Sequence, residues 1–406
     1  MRLPGVFFAV LLALVGCKTP LPIPEPVTPV APASGTRLRS GVVQFVWKSN
    51  ESERYEIQIA SDAKLKTVVL DSIVSAESVR AAPGADGRYF WHVRPLSADS
   101  VWGSWTQLDS FIIERFRVVT TVKTQGYPHD IDVHGTLAYI ADGQAGLAIF
   151  DVSNPEQPAF LGSKMDSLNE AWGVVAGDSY AYVAYGYTKL AAMDIRRPDS
   201  IRIVGQLTYP QPAYGYDVAL KDSCVYVAAG AQFIVVNVSD PRYLNVTYQG
   251  FYPRDCHGVA VQGRYAYVAC EQLGIASWLV DTVPPVQEGS LDSPSNARGI
   301  AVQGSYVYVA DGRDGLVIAD VSDPANIRRV GSVSLKGYAN AVSVRDTLAV
   351  LTCGSGGTSI VNVARPDSPS VVAILPSNYA MGACVLGQYV LVCDRDAGLT
   401  VIKQEE

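Results

Sequence analysis

Seven positions in the second half of the chain hold side chains that could do recognition chemistry, and they recur at an even step. His129, Trp172, Tyr216, His257, Arg298, Asn340 and Met381 follow one another at intervals of 41 to 44 residues. Imidazole, indole, phenol, guanidinium and amide groups both stack and hydrogen-bond, the chemistry of a surface that reads a partner rather than of one that breaks bonds. The next residue in each case is acidic or small: Asp130, Gly173, Asp217, Gly258, Gly299, Ala341 and Gly382. Small residues there fit a crowded axis, and Asp130 and Asp217 extend the candidate site by a second ring position. His129, Asp130, Asp217 and His257 are also metal-ligand types. A metal would need its ligands at about 2.1 Å, and two His on opposite sides of a seven-membered ring are too far apart for that, with no short His or Cys spacing to help. No metal and no cofactor are expected. The rival to a recognition surface is a plug, in which the same side chains fill a channel and bond one another.

Other residues invite chemical readings that their context does not sustain. Asp151, Asp194, Asp281 and Asp320 each stand just before a turn that ends in proline, so each is expected to bond its own turn backbone. "DGRDG" from Asp311 and "DRDAG" from Asp394 have the look of calcium loops but lack the remaining ligands and the terminal Glu, and are read as turns. No "GxSxG" elbow is present, and His134 is expected beside a hairpin turn on the far side, so no Ser-His-Asp set can be assembled. Beyond Cys17 there are Cys224, Cys256, Cys270, Cys353, Cys384 and Cys393. Cys256 and Cys270 flank one hairpin and would be the pair to join, but the expectation is buried thiols, because a large core needs no covalent staples.

The elements that would gather these residues are legible as a repeat. "GLVIADVSDP" at 315–324 is a strand running into an Asx and proline turn, and similar segments follow Leu137, Ala181, Val225, Ala266, Val307, Leu348 and Tyr389. Tyr139, Tyr182, Tyr226, Tyr267, Tyr308, Val350 and Leu391 mark the copies at steps of 41 to 44 residues, the period of a propeller blade. Each copy divides into four short strands, an inner one such as 299–302, then 306–310, 316–320 and an outer one such as 329–332. The seventh copy stops after its third strand. Its outer strand is expected from 116–122, "FRVVTTV", which would close the ring and remove two open sheet edges. The fold class is therefore all-β: a seven-bladed propeller over residues 116–406, preceded by a β-sandwich.

The third strands "LAIFD", "LVIAD" and "FIVVN", followed by "VSDP", resemble the LVIVD-repeat family of bacterial propellers, a resemblance that implies the fold and names no reaction. Residues 27–115, with "VQFVWK", "YEIQIASD" and "GRYFWHVRP", alternate inward and outward and resemble a fibronectin type III domain, which implies a spacer or adhesion module. Trp47 and Trp91 are expected in its core, and His92 on the opposite face as a solvated or satisfied side chain. Within residues 1–17, Arg2 precedes an apolar run from Val6 to Val15, and the segment ends in Leu14-Val15-Gly16-Cys17, which resembles the lipobox of a bacterial lipoprotein signal. The resemblance implies lipidation at Cys17 and, with Lys18 next, an outer-membrane location. Residues 18–26 begin a proline-rich extended tether.

A net charge of −7 with no basic stripe argues against nucleic acid as a partner. The expectation is a monomeric, lipid-anchored, extracytoplasmic binding or scaffold protein without catalysis. Its propeller mouth would meet a protein or polysaccharide partner with help from Tyr185, Tyr187, Tyr209, Tyr214, Tyr252, Tyr338 and Tyr379. The alternative is an extracytoplasmic propeller enzyme, such as a lactonase-like hydrolase, with His129, Asp217 and His257 around an ion.

Overall fold

A computed structural model describes residues 21–48, 52–166, 170–186, 189–211, 213–293 and 295–405. The lipobox with Cys17, and Tyr187, lie outside the described residues.

Seven antiparallel sheets follow one another along the chain from residue 116 onward. Blade five shows the plan: Gly299–Gln303, Tyr306–Ala310, Leu316–Asp320 and Arg328–Val333, each paired with the next. Its two middle strands are buried on both faces, because every blade is packed between two others. Hence they read as continuous apolar runs rather than alternating ones. Tyr308, Leu316 and Ile318 pack with Leu351 and Val361 of blade six, while Val307, Val309 and Val317 pack with Tyr267 and Ile275 of blade four. Each such side chain, fully buried, is worth about 1.5–3 kcal/mol. The outer strands keep one face open and alternate accordingly.

The seventh blade is closed as the sequence predicts. Gly398–Gln404 pairs antiparallel with Phe116–Val122, Val401 opposite Thr120 and Ile402 opposite Val118. Blade three differs in that its second and third strands run on as one strand, Cys224–Asn237, which turns at Gly230 with φ of +56°. Val238 N still donates to Ser223 O at 2.8 Å, the bond that Val321 makes to Ser305 in blade five, so the end of the pair away from the turn is held in the same way.

Two details explain the repeat's conserved-looking punctuation. In every blade the register slips by one residue between the third and outer strands, as between Ile149 and Phe150 or Ile318 and Ala319, a bulge that adds local twist. In blades one, two, four and five a glycine stands beside it, as Gly162 and Gly331 do. A Cβ there would come within 2.2 Å of Pro198 O and 2.0 Å of Pro366 O, the prolines that end the turns of the following blades. The turn proline and the strand glycine are thus two halves of one contact between neighbouring blades.

The N-terminal unit is a sandwich of a three-stranded and a five-stranded sheet. Trp47 and Trp91 lie at its centre as expected, Trp91 edge-on to Phe45 at 5.2 Å. His92 is buried rather than solvated: it stacks on Trp105 at 3.9 Å and bonds Gln58 at 3.1 Å. Arg94 lies over both Trp102 and Trp105, a stack the alternation pattern alone did not disclose.

Candidate functional site

The inner strands of the seven blades line one channel, and what holds them to each other decides which of their residues remain free. Asp130 Oδ2 accepts from Val174 N at 3.0 Å, Asp132 Oδ2 from Ala176 N at 2.8 Å, and Asp217 Oδ2 from Val259 N at 2.9 Å. In each case a carboxylate of one blade holds the backbone of the next. Asp217 Oδ1 also accepts from Val218 N at 2.7 Å. Where the same position is glycine, the next inner strand comes too close for a side chain. A Cβ on Gly258 would lie 2.3 Å from Arg298 O, and one on Gly299 2.6 Å from Ala341 Cα. The small residues at this ring position answer to the neighbouring strand, not to crowding at the axis. Asp130 and Asp217 line the channel, as expected, with their carboxylates already engaged. Burial pushes both carboxyls up, and for Asp217 the charge of Asp130 adds to it.

One residue earlier in the chain, the account is different. His129, Trp172, Tyr216, His257, Arg298, Asn340 and Met381 all line a single cavity of about 420 Å³, together with Tyr214, Tyr379 and Arg395. It lies over the channel, a space of about 460 Å³ that the same seven residues also line. Their placement comes from the ladder: His129, His257, Arg298 and Asn340 each donate a backbone N–H to the end of the second strand, at 2.8–2.9 Å. The side chains are thereby aimed into the mouth by regular structure.

The mouth has two unlike halves. From blade one to blade four the rings touch in succession: His129 stacks on Trp172 at 4.0 Å, Trp172 meets Tyr216 edge-on at 5.9 Å, and Tyr216 tilts against His257 at 4.2 Å. Tyr214 closes on both Trp172 and Tyr216. Blades five to seven supply Arg298, Asn340 and Met381 instead. Arg298 reaches over Tyr338 and Arg395 over Tyr379, at 5.6 and 4.5 Å.

The rings pack on each other, but their polar atoms do not pair. His129 Nδ1, Trp172 Nε1, His257 Nε2, Arg298 Nε and Asn340 Nδ2 are buried without a hydrogen-bond partner among the described residues. Glu271 Oε1 stands 3.7 Å from His257 Nε2, too long for a hydrogen bond. Burial, with Arg395 near His129 and Arg298 near His257, holds both imidazoles neutral, at about 4 for His129 and about 3 for His257. An unmade buried bond costs about 1–3 kcal/mol; other buried atoms, the Tyr185 and Tyr209 hydroxyls among them, are also unpaired, but here five of them line one cavity.

Several expectations are corrected. Tyr185 and Tyr209 are not rim residues but lie buried in the clusters between blades, and Tyr252 accepts a bond from Trp278 Nε1 away from the mouth. Among the described members of that group Tyr214 and Tyr379 line the cavity, with Tyr338 beneath Arg298. His129 and His257 do not converge on an ion, because Trp172 and Tyr216 stand between them and Asp217 is bonded to backbone. Among the described residues no three His, Cys, Asp or Glu are arranged to hold a metal. Of the four turn carboxylates, Asp151, Asp194 and Asp320 bond their own turns, whereas Asp281 pairs with Arg264.

Cys256 and Cys270 form a disulfide, not two thiols. The reason is visible in the equivalent positions of other blades. Asp142, Asp311 and Asp394 are buried and accept from the backbone of the segment that enters their own blade, at Gly126, Asn296 and Asn378. They are clamps, where the sequence reading saw only turns. Cys270 occupies the clamp position of blade four, and its bond to Cys256 ties down the same segment one residue before His257. That alignment was the signal available in the sequence. Arg395, next to the clamp Asp394, was missed for the same reason.

The LVIVD repeat model matches residues 125–166, 170–208, 214–248, 253–275, 294–334 and 377–402, together half of the chain. The chain belongs to the LVIVD repeat family. Residues 335–376 of this LVIVD repeat protein fall outside the matches, yet they carry all four strands of blade six, with Asn340 in place. No curated protein matches the chain. Among solved structures, a chain of the Mitotic Checkpoint Complex is similar at 12% identity and a TM-score of 0.57, covering 72% of this chain and 92% of that one. The WD40 β-propeller domain of Doa1 is similar at 11% identity and 0.55, covering 72% and 97%. The computationally designed Ika8 protein is similar at 9% identity and 0.53, covering 80% and 92%. At these identities the likeness is one of fold.

Proposed function

We propose that this LVIVD repeat protein is a non-enzymatic binding or scaffold protein that receives a protein or polysaccharide partner at the propeller mouth. The observation that carries the reading is the set of five buried, unpaired polar atoms on side chains that regular structure aims into one cavity. Asp130 and Asp217, the carboxylates that line the channel below it, are committed to backbone amides, which argues against their acting as general bases.

The Cys17 lipobox, the proline-rich tether from residue 18 and the fibronectin type III-like pattern of 27–115 support an extracytoplasmic setting. In this reading the lipid at Cys17 anchors a monomer to the bacterial outer membrane, and the sandwich spaces the propeller from it. Replacing Trp172, Tyr216 and Arg298 together with Ala tests the mouth. Capture of the partner from envelope fractions should be abolished while the far-UV spectrum and melting cooperativity are retained; unchanged capture removes the mouth from consideration.

A further inference from the structure

Three of the unpaired atoms can only donate: Trp172 Nε1, Arg298 Nε and Asn340 Nδ2. The other two are nitrogens of neutral imidazoles, His129 Nδ1 and His257 Nε2. The His257 side chain is only 9% exposed and lines both the mouth and the channel below it. A cavity with donors in excess is completed by a ligand rich in acceptors. Because the ring faces already pack on one another, such a ligand is held by the rings' polar edges, not by stacking.

Charge fixes how negative that ligand is. Among the described residues no carboxylate lines the mouth, and its cations are Arg298 and Arg395. Arg395 lies 3.5 Å from Asp396, whereas Arg298 forms no ion pair among the described residues. One uncompensated guanidinium at a partly buried site calls for one negative charge. A dianion would face Asp130 in the channel below and Glu271 beside His257.

Resting on the mouth reading above, we propose that the cavity is a carboxylate pocket for a hydroxy acid of about the size of one sugar acid. Arg298 takes the carboxylate, and Trp172 Nε1 and Asn340 Nδ2 donate to neighbouring oxygens. The same carboxylate chemistry is carried by a free sugar acid and by a unit of an acidic polysaccharide.

Titration calorimetry of the whole protein with D-galacturonate, D-galactose, inorganic phosphate and polygalacturonate tests this. Galacturonate should bind, and galactose, the same ring without the carboxylate, at least about tenfold more weakly. Arg298→Gln should lose about tenfold or more for galacturonate, Arg298→Lys should recover part of it, and Trp172→Phe, which keeps the ring but removes the donor, should lose about tenfold with an unchanged melting temperature. Tighter binding per site of polygalacturonate assigns the carboxylate to a polymer, and equal binding to the free acid. Equal affinity for galactose, preference for phosphate, no binding of any probe, or an Arg298→Gln protein that binds galacturonate like the parent overturns the proposal. If the triple Ala variant loses its partner while Arg298→Gln alters neither capture nor galacturonate binding, the carboxylate pocket fails and the mouth reading stands. If the triple variant also captures normally, both fail.

Discussion

Two layers of the same inner strands, one residue apart, are treated in opposite ways. In the deeper layer Asp130 and Asp217 are buried, and each spends its carboxylate on an amide of the following blade. In the mouth layer His129, Trp172, His257, Arg298 and Asn340 are placed by equally regular backbone, yet each keeps a buried polar atom unpaired. Both layers are polar and both line the axis, so residue type alone does not separate structure from recognition. Satisfaction does: groups that bond across blades hold the ring, and groups left unpaired are available to something else.

The largest effect should come from the deeper layer. Asp217→Ala orphans Val218 N and Val259 N and should cost about 2–4 kcal/mol in a urea unfolding titration. Asp217→Asn keeps an acceptor and removes a carboxyl whose folded pKa is raised. Such a group favours the fold below its unfolded pKa and opposes it as pH rises through the folded value. At neutral pH the Asn variant should therefore match or exceed the parent, and a loss as large as that of Ala would contradict the assignment.

The mouth layer gives a smaller effect of opposite sign. His129 and His257 are neutral in the fold, at about 4 and about 3. Their contribution is complete above the unfolded value near 6.5 and is lost as pH falls towards those folded values. Asp130 and Asp217 run the other way and mask this in the parent. Comparison with His257→Gln exposes it: the stability difference should move in the variant's favour by up to about 1.4 kcal/mol per pH unit below 6.5. A pH-independent difference would mean that His257 takes up its proton in the fold as readily as in the unfolded chain.

How much of this the sequence disclosed follows from what repeats and what does not. The blade plan was readable, down to the 116–122 strand that closes blade seven, because burial on both faces forces the same apolar runs into every copy. The positions of the seven mouth residues were readable from the repeat, since each stands at the same point where the chain enters an inner strand. Side-chain pairing was not. The role of Asp217 depends on Val259, in the next copy, and that of Cys270 on an equivalence with Asp142 that a turn motif conceals. Tyr185 and Tyr209 sit in loops or strand ends by sequence, but the neighbouring blade covers them.

The most direct test of the division between the layers is the unfolding free energy of a triple mouth variant, Trp172→Phe with Arg298→Gln and Asn340→Ala, set against the parent. Each substitution removes an unpaired buried atom and little packing, so the variant should keep the parent's stability within about 0.5 kcal/mol or exceed it. A loss comparable to that of Asp217→Ala would show that the mouth side chains hold the ring together, and the cavity would then be a plug and not a site.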